Sequence, residues 1–231
     1  MRMSGNTMLI TGGTSGIGLG LASRFHAEGN TVIIAGRRQQ LLASITAEHP
    51  GMDSVSLDMA DPTSIGDAIA GVFATHPDLD VVINNAGIML PEELTDPRHL
   101  DVAEQTVITN LLGPIRLLTH VVPLLVAQPT ATIINVSSGL AFVPLPLTPT
   151  YCATKAAIHS YTQSLRVQLA DTGCPGPGTH PAGGADRPDG SGCPRSGDAA
   201  AGVPDRGDGP AAGQPRHRGD LRAGRVADAQ R

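Results

Sequence analysis

The sequence predicts an α/β protein built on a doubly wound parallel sheet, from three observations. Short β-branched runs alternate with longer helical stretches from Met1 to Gly173, a pattern typical of repeated β-α-β units. A glycine-rich turn joins the first predicted strand directly to the first predicted helix. The composition changes abruptly after residue 173, so we divide the chain into a domain at 1–173 and a tail at 174–231.

Each element of the domain is predicted from its own pattern. Apolar runs of four or five residues indicate strands that are buried on both faces. The predicted strands are Thr7–Thr11, Thr31–Ala35, Ser54–Leu57, Val81–Asn84 and Thr132–Val136. The predicted helices lie near 16–28, 38–48, 62–75, 98–127 and 151–171. Because proline lacks an N–H donor, Pro114 and Pro123 should kink the fourth helix or end its turns.

The segment 174–231 differs from the rest of the chain in composition. Its 58 residues include 13 Gly and 8 Pro, and only Val203, Leu221 and Val226 from the large aliphatic set. Such a segment cannot bury enough apolar surface to offset its ordering entropy. We therefore predict that the C-terminal strands of the fold are missing or replaced by a disordered tail.

A frameshift is a second interpretation of this tail, although composition alone favours a natural disordered segment. Codons shifted by one base after Gly173 permit the string Val-Leu-Glu-Leu-Ile-Pro-Pro-Gly, a buried strand followed by a turn, and no stop codon is forced. We hypothesise that residues 174–231 are a frameshift product. An encoding DNA sequence without a surplus base in the codons for 172–174 would refute this hypothesis.

Composition and charge narrow the classes of partner. The net charge is -5 and no basic stripe could follow a phosphate backbone, so nucleic acid is not expected. The chain has neither a long uninterrupted apolar run nor a signal-peptide layout, so we expect a cytoplasmic protein without membrane contact. Cys152, Cys174, Cys193 and the isolated histidines lack metal-ligand spacing, so no metal site is predicted.

The segment Thr11–Gly18, with the sequence TGGTSGIG, follows the first strand and opens the first helix. Its glycines allow a tight turn and a close backbone approach at a helix N-terminus, a geometry that suits a pyrophosphate. A purely structural glycine turn is the alternative. We predict a Rossmann-like dinucleotide site, whose contacts in this segment are Gly12, Thr14, Ser15, Gly16, Ile17 and Gly18.

The second strand favours NADP(H) over NAD(H). It is followed by Arg37 and Arg38 and has no carboxylate that could accept the ribose hydroxyls of NAD. A guanidinium at Arg37 would instead bind a ribose 2′-phosphate, unless both arginines are solvated starts of the next helix. Asp58, after the third strand, is predicted to face the adenine, or else only leads into the next helix.

Tyr151 and Lys155 lie four residues apart, which places them on one face of a helix. Lys155 is the only lysine in the chain, and Tyr151 is one of two tyrosines. A nearby ammonium stabilises a phenolate and lowers the pKa of a tyrosine, so Tyr151 is predicted to exchange a proton near neutral pH. An exposed Tyr–Lys helix pair is the alternative.

Ser138 lies at the carboxyl end of the fifth predicted strand, 13 residues before Tyr151. Open α/β sheets bind ligands at this edge, and a hydroxyl there can hydrogen-bond a substrate oxygen on which charge develops. A serine that only caps the next turn is the alternative, and this interpretation suits Ser137 better than Ser138.

Two amide-bearing segments complete the candidate site. Asn85, Ala86 and Gly87 follow the fourth strand, where small residues let a cofactor pass close, unless the amides only tie neighbouring strands. Asn110 is a poor helix former inside the fourth helix, so it has either a polar task or the role of an ordinary buried amide.

Together these residues resemble the short-chain dehydrogenase/reductase family. The resemblance covers residues 5–173 and rests on TGGTSGIG at 11–18, NNAG at 84–87, Asn110, Ser138 and YCATK at 151–155. The sequence of these motifs and of the residues around them is similar to that of a bacterial branch named after a D-alanyl-lipoteichoic-acid operon. The resemblance implies an oxidoreductase that interconverts a carbonyl and an alcohol on a small molecule, with the hydride supplied by a nicotinamide cofactor.

The resemblance also implies a role for each residue. Tyr151 is expected to be the general acid/base, with Lys155 lowering its pKa and holding the nicotinamide ribose. Ser138 would orient the carbonyl or alcohol, and Asn110 would position a water that connects Lys155 to solvent. Family members usually assemble through their two long helices, so a homodimer or homotetramer is expected.

The chain departs from the family after its last predicted helix. The family continues with a sixth strand, a Pro-Gly loop, a substrate-binding helix and a seventh strand, and none of these is found in 174–231. The shifted frame permits them, which supports the frameshift hypothesis. Two alternatives stay open: an inactive or cofactor-binding-only remnant, and a regulatory protein that uses the tail. Only Phe142 and the stretch 143–147 hint at the substrate, which would be apolar.

Overall fold

The structure, a computed structural model, describes residues 2–170 and 172. Its strands are β1 (Thr7–Thr11), β2 (Thr31–Gly36), β3 (Asp53–Ser56), β4 (Val81–Asn84) and β5 (Thr132–Asn135). Its helices are α1 (Gly16–Ala27), α2 (Gln39–Glu48), α3 (Pro62–Thr75), α4 (His99–Val107), α5 (Gly113–Leu125) and α6 (Pro149–Gln168). A π-helical turn, Ile108–Leu112, joins α4 to α5, and a 3-10 turn, Gly139–Ala141, follows β5.

All five strands are parallel and lie in the order β3-β2-β1-β4-β5. The sheet is built outward from β1, where Met8 lies opposite Val32 of β2 on one side and Val81 of β4 on the other. This confirms the predicted doubly wound, Rossmann-like sheet. The strand order reverses between β1 and β4, and a reversal of this kind opens a crevice at the carboxyl ends of the strands.

Helices cover both faces of the sheet, which is why its strands are almost continuously apolar. In β1, Leu9 packs with residues of α3 and α5, whereas Met8 and Ile10 pack with residues of α1 and α2. All three side chains are fully buried. The apolar core therefore holds β1 in the centre of the sheet and fixes the position of the glycine-rich turn that follows it.

The predicted fourth helix is divided into three parts. α4 ends at Val107, and the π-helical turn is followed by α5, which begins at Gly113 and Pro114. Because Pro114 has no N–H, it cannot donate to the carbonyl of Asn110 as an α-helix requires, and the wider turn accommodates this loss. Pro123 lies inside α5, which ends two residues later at Leu125.

The other element bounds differ from the prediction by at most three residues. β3 begins at Asp53 and ends at Ser56, although the N–H of Leu57 still donates to the carbonyl oxygen of Gly36 at 3.0 Å. α6 begins at Pro149, two residues before the predicted start. Proline suits the first helical position because its N–H is not needed there.

A chain of side-chain hydrogen bonds links β4, β5 and α6. Asn84 Nδ2 donates to Asn135 Oδ1 at 2.8 Å, and Asn135 Nδ2 donates to Thr162 Oγ1 at 2.9 Å. Thr162 Oγ1 in turn donates to the carbonyl oxygen of Ile158 at 2.6 Å. These bonds set the position of α6, the helix that carries Tyr151, relative to the sheet.

Several predictions concern residues that the structure does not describe. The domain boundary after Gly173, the tail at 174–231, the frameshift hypothesis, Cys174 and Cys193 all lie outside the described residues.

The helical segment His99–Leu125 is long and apolar enough to cross a membrane by length and composition alone, with 27 residues and a mean hydropathy of 1.4 in its most apolar window. Polar and charged residues interrupt this segment, so it does not contradict the prediction that the chain has no long uninterrupted apolar run. In the fold, Leu117, Leu118 and Val121 from this segment are buried in the core beneath the sheet.

Two glycine-to-alanine substitutions should have opposite effects on stability. A Cβ atom on Gly113 would lie 2.6 Å from the carbonyl oxygen of Met59, so Gly113→Ala should lower the free energy of unfolding by about 2 kcal/mol. No atom lies within 4 Å of a Cβ atom on Gly20, so Gly20→Ala should raise it by about 0.5 kcal/mol through helix propensity. Urea denaturation of the full chain measures both, and equal effects would contradict the packing of α5 described here.

Candidate active site

Glycines shape the turn between β1 and α1. Gly12 and Gly16 have φ angles of +68° and +54°, which L side chains rarely adopt. A Cβ atom on Gly12 would lie 2.9 Å from the Cα atom of Ala86, and one on Gly18 would collide with the carbonyl oxygen of Gly12. Gly12 and Gly18 therefore let the turn pack closely against itself and against the residues after β4. The turn leads into the N-terminus of α1, where the first N–H groups of a helix can bind an anion.

A cleft of about 470 Å³ opens along this turn, at the carboxyl ends of the central strands. The predicted cofactor contacts that line it are Gly12, Thr14, Ser15, Ile17, Arg37, Asp58, Asn85, Ala86 and Gly87. Gly16 and Gly18 shape the turn but do not line the cleft. Arg38, Ile88 and Thr109 line it as well, although the sequence analysis did not select them as contacts.

Arg38 is the arginine that contacts the glycine turn. Its Nη2 atom donates to Thr14 Oγ1 at 3.1 Å and to Ser15 Oγ at 3.3 Å. The structure therefore places a guanidinium and two hydroxyls together at one end of the cleft. Arg37, the predicted contact, also lines the cleft. The occurrence of two consecutive arginines after β2 was the signal that could have identified Arg38.

Asp58 lines the cleft and also shapes the approach to α3. Its Oδ1 atom accepts a hydrogen bond from the N–H of Ala60 at 3.0 Å, and its own N–H donates to Ser64 Oγ at 3.0 Å. The alternative interpretation, a residue that leads into the next helix, thus describes contacts that Asp58 makes. Its position in the cleft is compatible with the predicted adenine contact.

Thr11, which the sequence analysis did not select, joins the ends of β1 and β4. Its buried Oγ1 atom accepts hydrogen bonds from the N–H groups of Asn85 and Ala86, each at 3.0 Å. Asn85 Nδ2 donates back to the carbonyl oxygen of Thr11 at 3.0 Å. The amide of Asn85 therefore ties neighbouring strands, as the alternative interpretation proposed, and it lines the cleft at the same time.

Lys155 is buried close to Tyr151. Its Nζ atom donates to the carbonyl oxygen of Val136 at 2.7 Å and lies 5.7 Å from the centroid of the Tyr151 ring. No carboxylate in the described residues lies within ion-pair distance of it. Burial lowers the pKa of Lys155 below its ordinary value, because the charged form loses solvation. The exposed Tyr–Lys pair that was the alternative is not what this part of the structure contains.

Asn110 is buried beside Gly87, a residue that lines the cleft. Its Oδ1 atom accepts from the N–H of Ile88 at 2.8 Å, and its Nδ2 atom donates to the carbonyl oxygen of Ile88 at 2.7 Å. A Cβ atom on Gly87 would lie 3.2 Å from Asn110 Oδ1 and 3.8 Å from Lys155 Nζ. Gly87 is therefore the point at which the cleft meets the predicted catalytic residues, and the side chain of Asn110 holds the segment that follows it.

Of the two serines after β5, Ser138 and not Ser137 is the one that caps the next turn. Ser138 caps the 3-10 turn, with its Oγ atom accepting from the N–H of Leu140 at 3.1 Å. Ser137 Oγ instead donates to the carbonyl oxygen of Lys155 at 3.1 Å. The interpretation that capping suits Ser137 better was wrong, because Ser137 contacts α6. The cap uses Ser138 as an acceptor, and its O–H donates to no other atom of the described residues.

Comparison with known proteins gives concordant matches. The family model described as short chain dehydrogenase matches residues 6–180. An uncharacterized oxidoreductase of Bacillus subtilis, DltE, is 42% identical over 173 residues, which are 74% of this chain and 69% of that protein. An uncharacterized oxidoreductase of Staphylococcus epidermidis, SERP2049, is 33% identical over 166 residues, or 71% of this chain and 72% of that protein.

Solved structures show the same similarity in three dimensions. An actinorhodin polyketide ketoreductase variant with NADPH matches with a TM-score of 0.69 and 26% identity, over 75% of this chain and 68% of that one. A serine dehydrogenase complexed with NADP⁺ matches with a TM-score of 0.68 and 30% identity, over 73% and 68% of the two chains.

The similarity thus extends over the sheet, the glycine turn and the Tyr151 helix, and it includes the bacterial branch that the sequence wording indicated. The chain belongs to the short-chain dehydrogenase/reductase family of NAD(P)-dependent oxidoreductases.

Proposed function

We propose that this protein interconverts a carbonyl and an alcohol on a small molecule, using Ser138, Tyr151, Lys155 and Asn110, and that it prefers NADP(H) to NAD(H). The observation that carries the proposal is the buried Lys155 ammonium, 5.7 Å from the Tyr151 ring centroid and beside Gly87 at the end of the cleft. A nicotinamide cofactor supplies or accepts the hydride when it is bound.

The residues of the cleft fit a dinucleotide. Gly12 and Gly18 keep the backbone of the turn free of side chains, and the N-terminus of α1 offers main-chain N–H groups suited to a pyrophosphate. Preference for NADP(H) is supported by Arg37 and Arg38, which follow β2 and line the cleft together. A guanidinium binds a phosphate through parallel N–H donors, which a ribose hydroxyl cannot match.

Tyr151 and Ser138 would act on the substrate oxygen. In the reductive direction, Tyr151 gives its phenolic proton to that oxygen, and in the oxidative direction it removes the proton. The ammonium of Lys155 stabilises the negative charge that remains on Tyr151 after it has donated. The free O–H of Ser138 donates to the same substrate oxygen as charge develops on it.

Asn110 would act through its main chain. Both ends of its side-chain amide are occupied by Ile88, so we place the proposed water beside its carbonyl oxygen, to which Pro114 cannot donate. Such a water would connect Lys155 with solvent.

We further propose a cytoplasmic homodimer or homotetramer that contacts neither nucleic acid nor membrane. The composition of 174–231 favours the alternative, an inactive or cofactor-binding-only protein, since the strand and loop signals expected after α6 are missing there. Turnover by the full chain decides between these proposals.

Tyr151→Phe should abolish turnover without loss of cofactor binding. The phenylalanine keeps the ring but has no proton to transfer, so NADPH oxidation with 4-nitrobenzaldehyde, an uncharged apolar carbonyl, should fall about 10³-fold. Fluorescence titration should give the wild-type Kd for NADPH. Tyr161→Phe, which alters the other tyrosine, is the matched control and should keep full activity. An equal loss of activity in both variants, or no loss in Tyr151→Phe, contradicts the role assigned to Tyr151. A wild-type chain that binds NADPH but reduces no member of an aldehyde panel supports the alternative, a protein that only binds the cofactor.

Arg38→Ala should weaken NADPH binding selectively. Loss of the guanidinium removes a charge-assisted contact with the 2′-phosphate, so the Kd for NADPH should rise about tenfold while that for NADH stays unchanged. Arg24→Ala, at an exposed position of α1, is the control and should change neither the Kd for NADPH nor that for NADH. A parallel rise in both constants for Arg38→Ala would place Arg38 outside the phosphate contact.

Lys155→Met should abolish turnover and raise the free energy of unfolding by about 1 kcal/mol at pH 7, because it removes a desolvated charge. Since burial lowers the pKa of Lys155 from 10.5, the unfolded chain binds more protons than the folded chain between the two pKa values. The free energy of unfolding of the wild type therefore rises with pH between the two pKa values. The difference in free energy of unfolding between Lys155→Met and wild type becomes smaller over the same range.

Urea denaturation at neutral pH and near pH 10 measures this difference. Arg24→Met, at an exposed site, should show a difference from wild type that does not vary with pH, since arginine stays protonated throughout. If the free energy of unfolding of Lys155→Met also differed from that of wild type by the same amount at both pH values, the result would contradict a buried charge at Lys155.

A further inference from the structure

Glu92 is a buried carboxylate that the mechanism above does not use. It lies in the segment between β4 and α4 and is only 8% exposed. None of the ion pairs formed by the described residues includes it. A carboxylate without a cation is costly to bury unless hydrogen bonds satisfy its oxygens.

Both carboxylate oxygens of Glu92 are bonded to one residue of α6. Oε1 accepts from the N–H of Thr150 at 2.9 Å, and Oε2 accepts from Thr150 Oγ1 at 2.7 Å. The N–H of Glu92 itself donates to the carbonyl oxygen of Leu147 at 3.0 Å. Three hydrogen bonds thus join the segment after β4 to the start of α6.

The first turn of α6 lacks a cap of its own. Thr148, at the N-cap position, makes no side-chain hydrogen bond to a main-chain N–H of the helix, and its Oγ1 atom lies 3.8 Å from Cys152 Sγ. Glu92 therefore supplies from a distant segment the acceptor that an N-cap residue usually provides, and its negative charge lies at the favourable end of the helix dipole. The capped residue, Thr150, directly precedes Tyr151.

The same segment is fixed at its other end to the cofactor cleft. Asn85 and Ala86 are bound to Thr11, and Ile88 is held by Asn110. The spacing between the cleft and the first turn of α6 is thus set by four residues, 89–92, and by the bonds of Glu92.

We propose that Glu92 is a positioning residue that fixes Tyr151 against the cofactor cleft. This inference rests on the proposed function, in which Tyr151 transfers the proton. Glu92 touches no reacting group and acts through Thr150.

Glu92→Ala should lower kcat for NADPH-dependent reduction of 4-nitrobenzaldehyde about tenfold or more, because small displacements of a proton donor slow the reaction strongly. The Kd for NADPH should stay within about twofold of wild type, since the cleft keeps its own bonds through Thr11. Glu92→Gln should retain kcat within about threefold, because its carbonyl oxygen accepts from the Thr150 N–H and its amide donates to Thr150 Oγ1. Glu93→Ala, at the exposed neighbour, is the matched control and should behave as wild type.

Three results would overturn the proposal: wild-type kcat in Glu92→Ala, equal losses of kcat and NADPH binding in that variant, or failure of Glu92→Gln to recover kcat. If Glu92→Ala does not fold, Thr150→Val decides. It removes one of the three bonds and should lower kcat with an unchanged Kd, and wild-type kcat in Thr150→Val would refute the role of Glu92.

A readout without turnover separates this inference from the proposed function. Cys152, two residues after Thr150, is 3% exposed, and its Sγ atom accepts from the N–H of Leu145 at 3.3 Å. Alkylation by N-ethylmaleimide, followed by peptide mass spectrometry, should label Cys152 about tenfold faster in Glu92→Ala than in wild type or Glu92→Gln, because opening of the first turn exposes the thiol. An unchanged Cys152 rate refutes the positioning role even in a chain that reduces no carbonyl, whereas faster labelling in an inactive chain supports it and leaves only the proposed function contradicted.

Discussion

The hydroxyl of Thr11 is the interaction on which the site depends most. It is buried where the strand order reverses, and it accepts from two consecutive N–H groups at the end of β4. Without it, two partly buried N–H donors would lose their partner in the protein, at a cost of up to about 1–3 kcal/mol each. The glycine turn on one side and the segment that reaches Glu92 on the other both start from this junction.

The position of α6 is determined from outside the helix. Ser137 bonds the carbonyl of Lys155, Asn135 bonds Thr162, and Glu92 bonds Thr150, so contacts from the end of β5 and from the segment after β4 hold one helix. These hydrogen bonds stabilise α6, which also carries the buried ammonium of Lys155, whose desolvation is unfavourable. The hydrogen bond from Lys155 Nζ to the carbonyl oxygen of Val136 offsets part of this desolvation.

Apart from the division of the fourth helix, the sequence predicted the bounds of the elements to within three residues, because strands buried on both faces and helices with apolar stripes have distinct patterns. It could not predict contacts that depend on how distant segments approach. Thr11 is an ordinary strand residue in the sequence, and Glu92 an ordinary loop acid; only the pairing of β1 with β4 and the packing of α6 give them partners. Pro114 signalled a disruption of the fourth helix, but the close packing of Gly113 against Met59 depends on the fold and has no signal in the sequence.

The origin of the α6 cap has a consequence for the order of assembly. Thr150 is 58 residues away from Glu92, so the first turn of α6 obtains its cap only after the segment behind β4 has taken its place. A helix with a local cap can nucleate from its own residues, whereas this one closes through a contact of long sequence separation. The first turn of α6, which carries Tyr151, therefore obtains its cap from a tertiary contact and not from the residues of the helix itself.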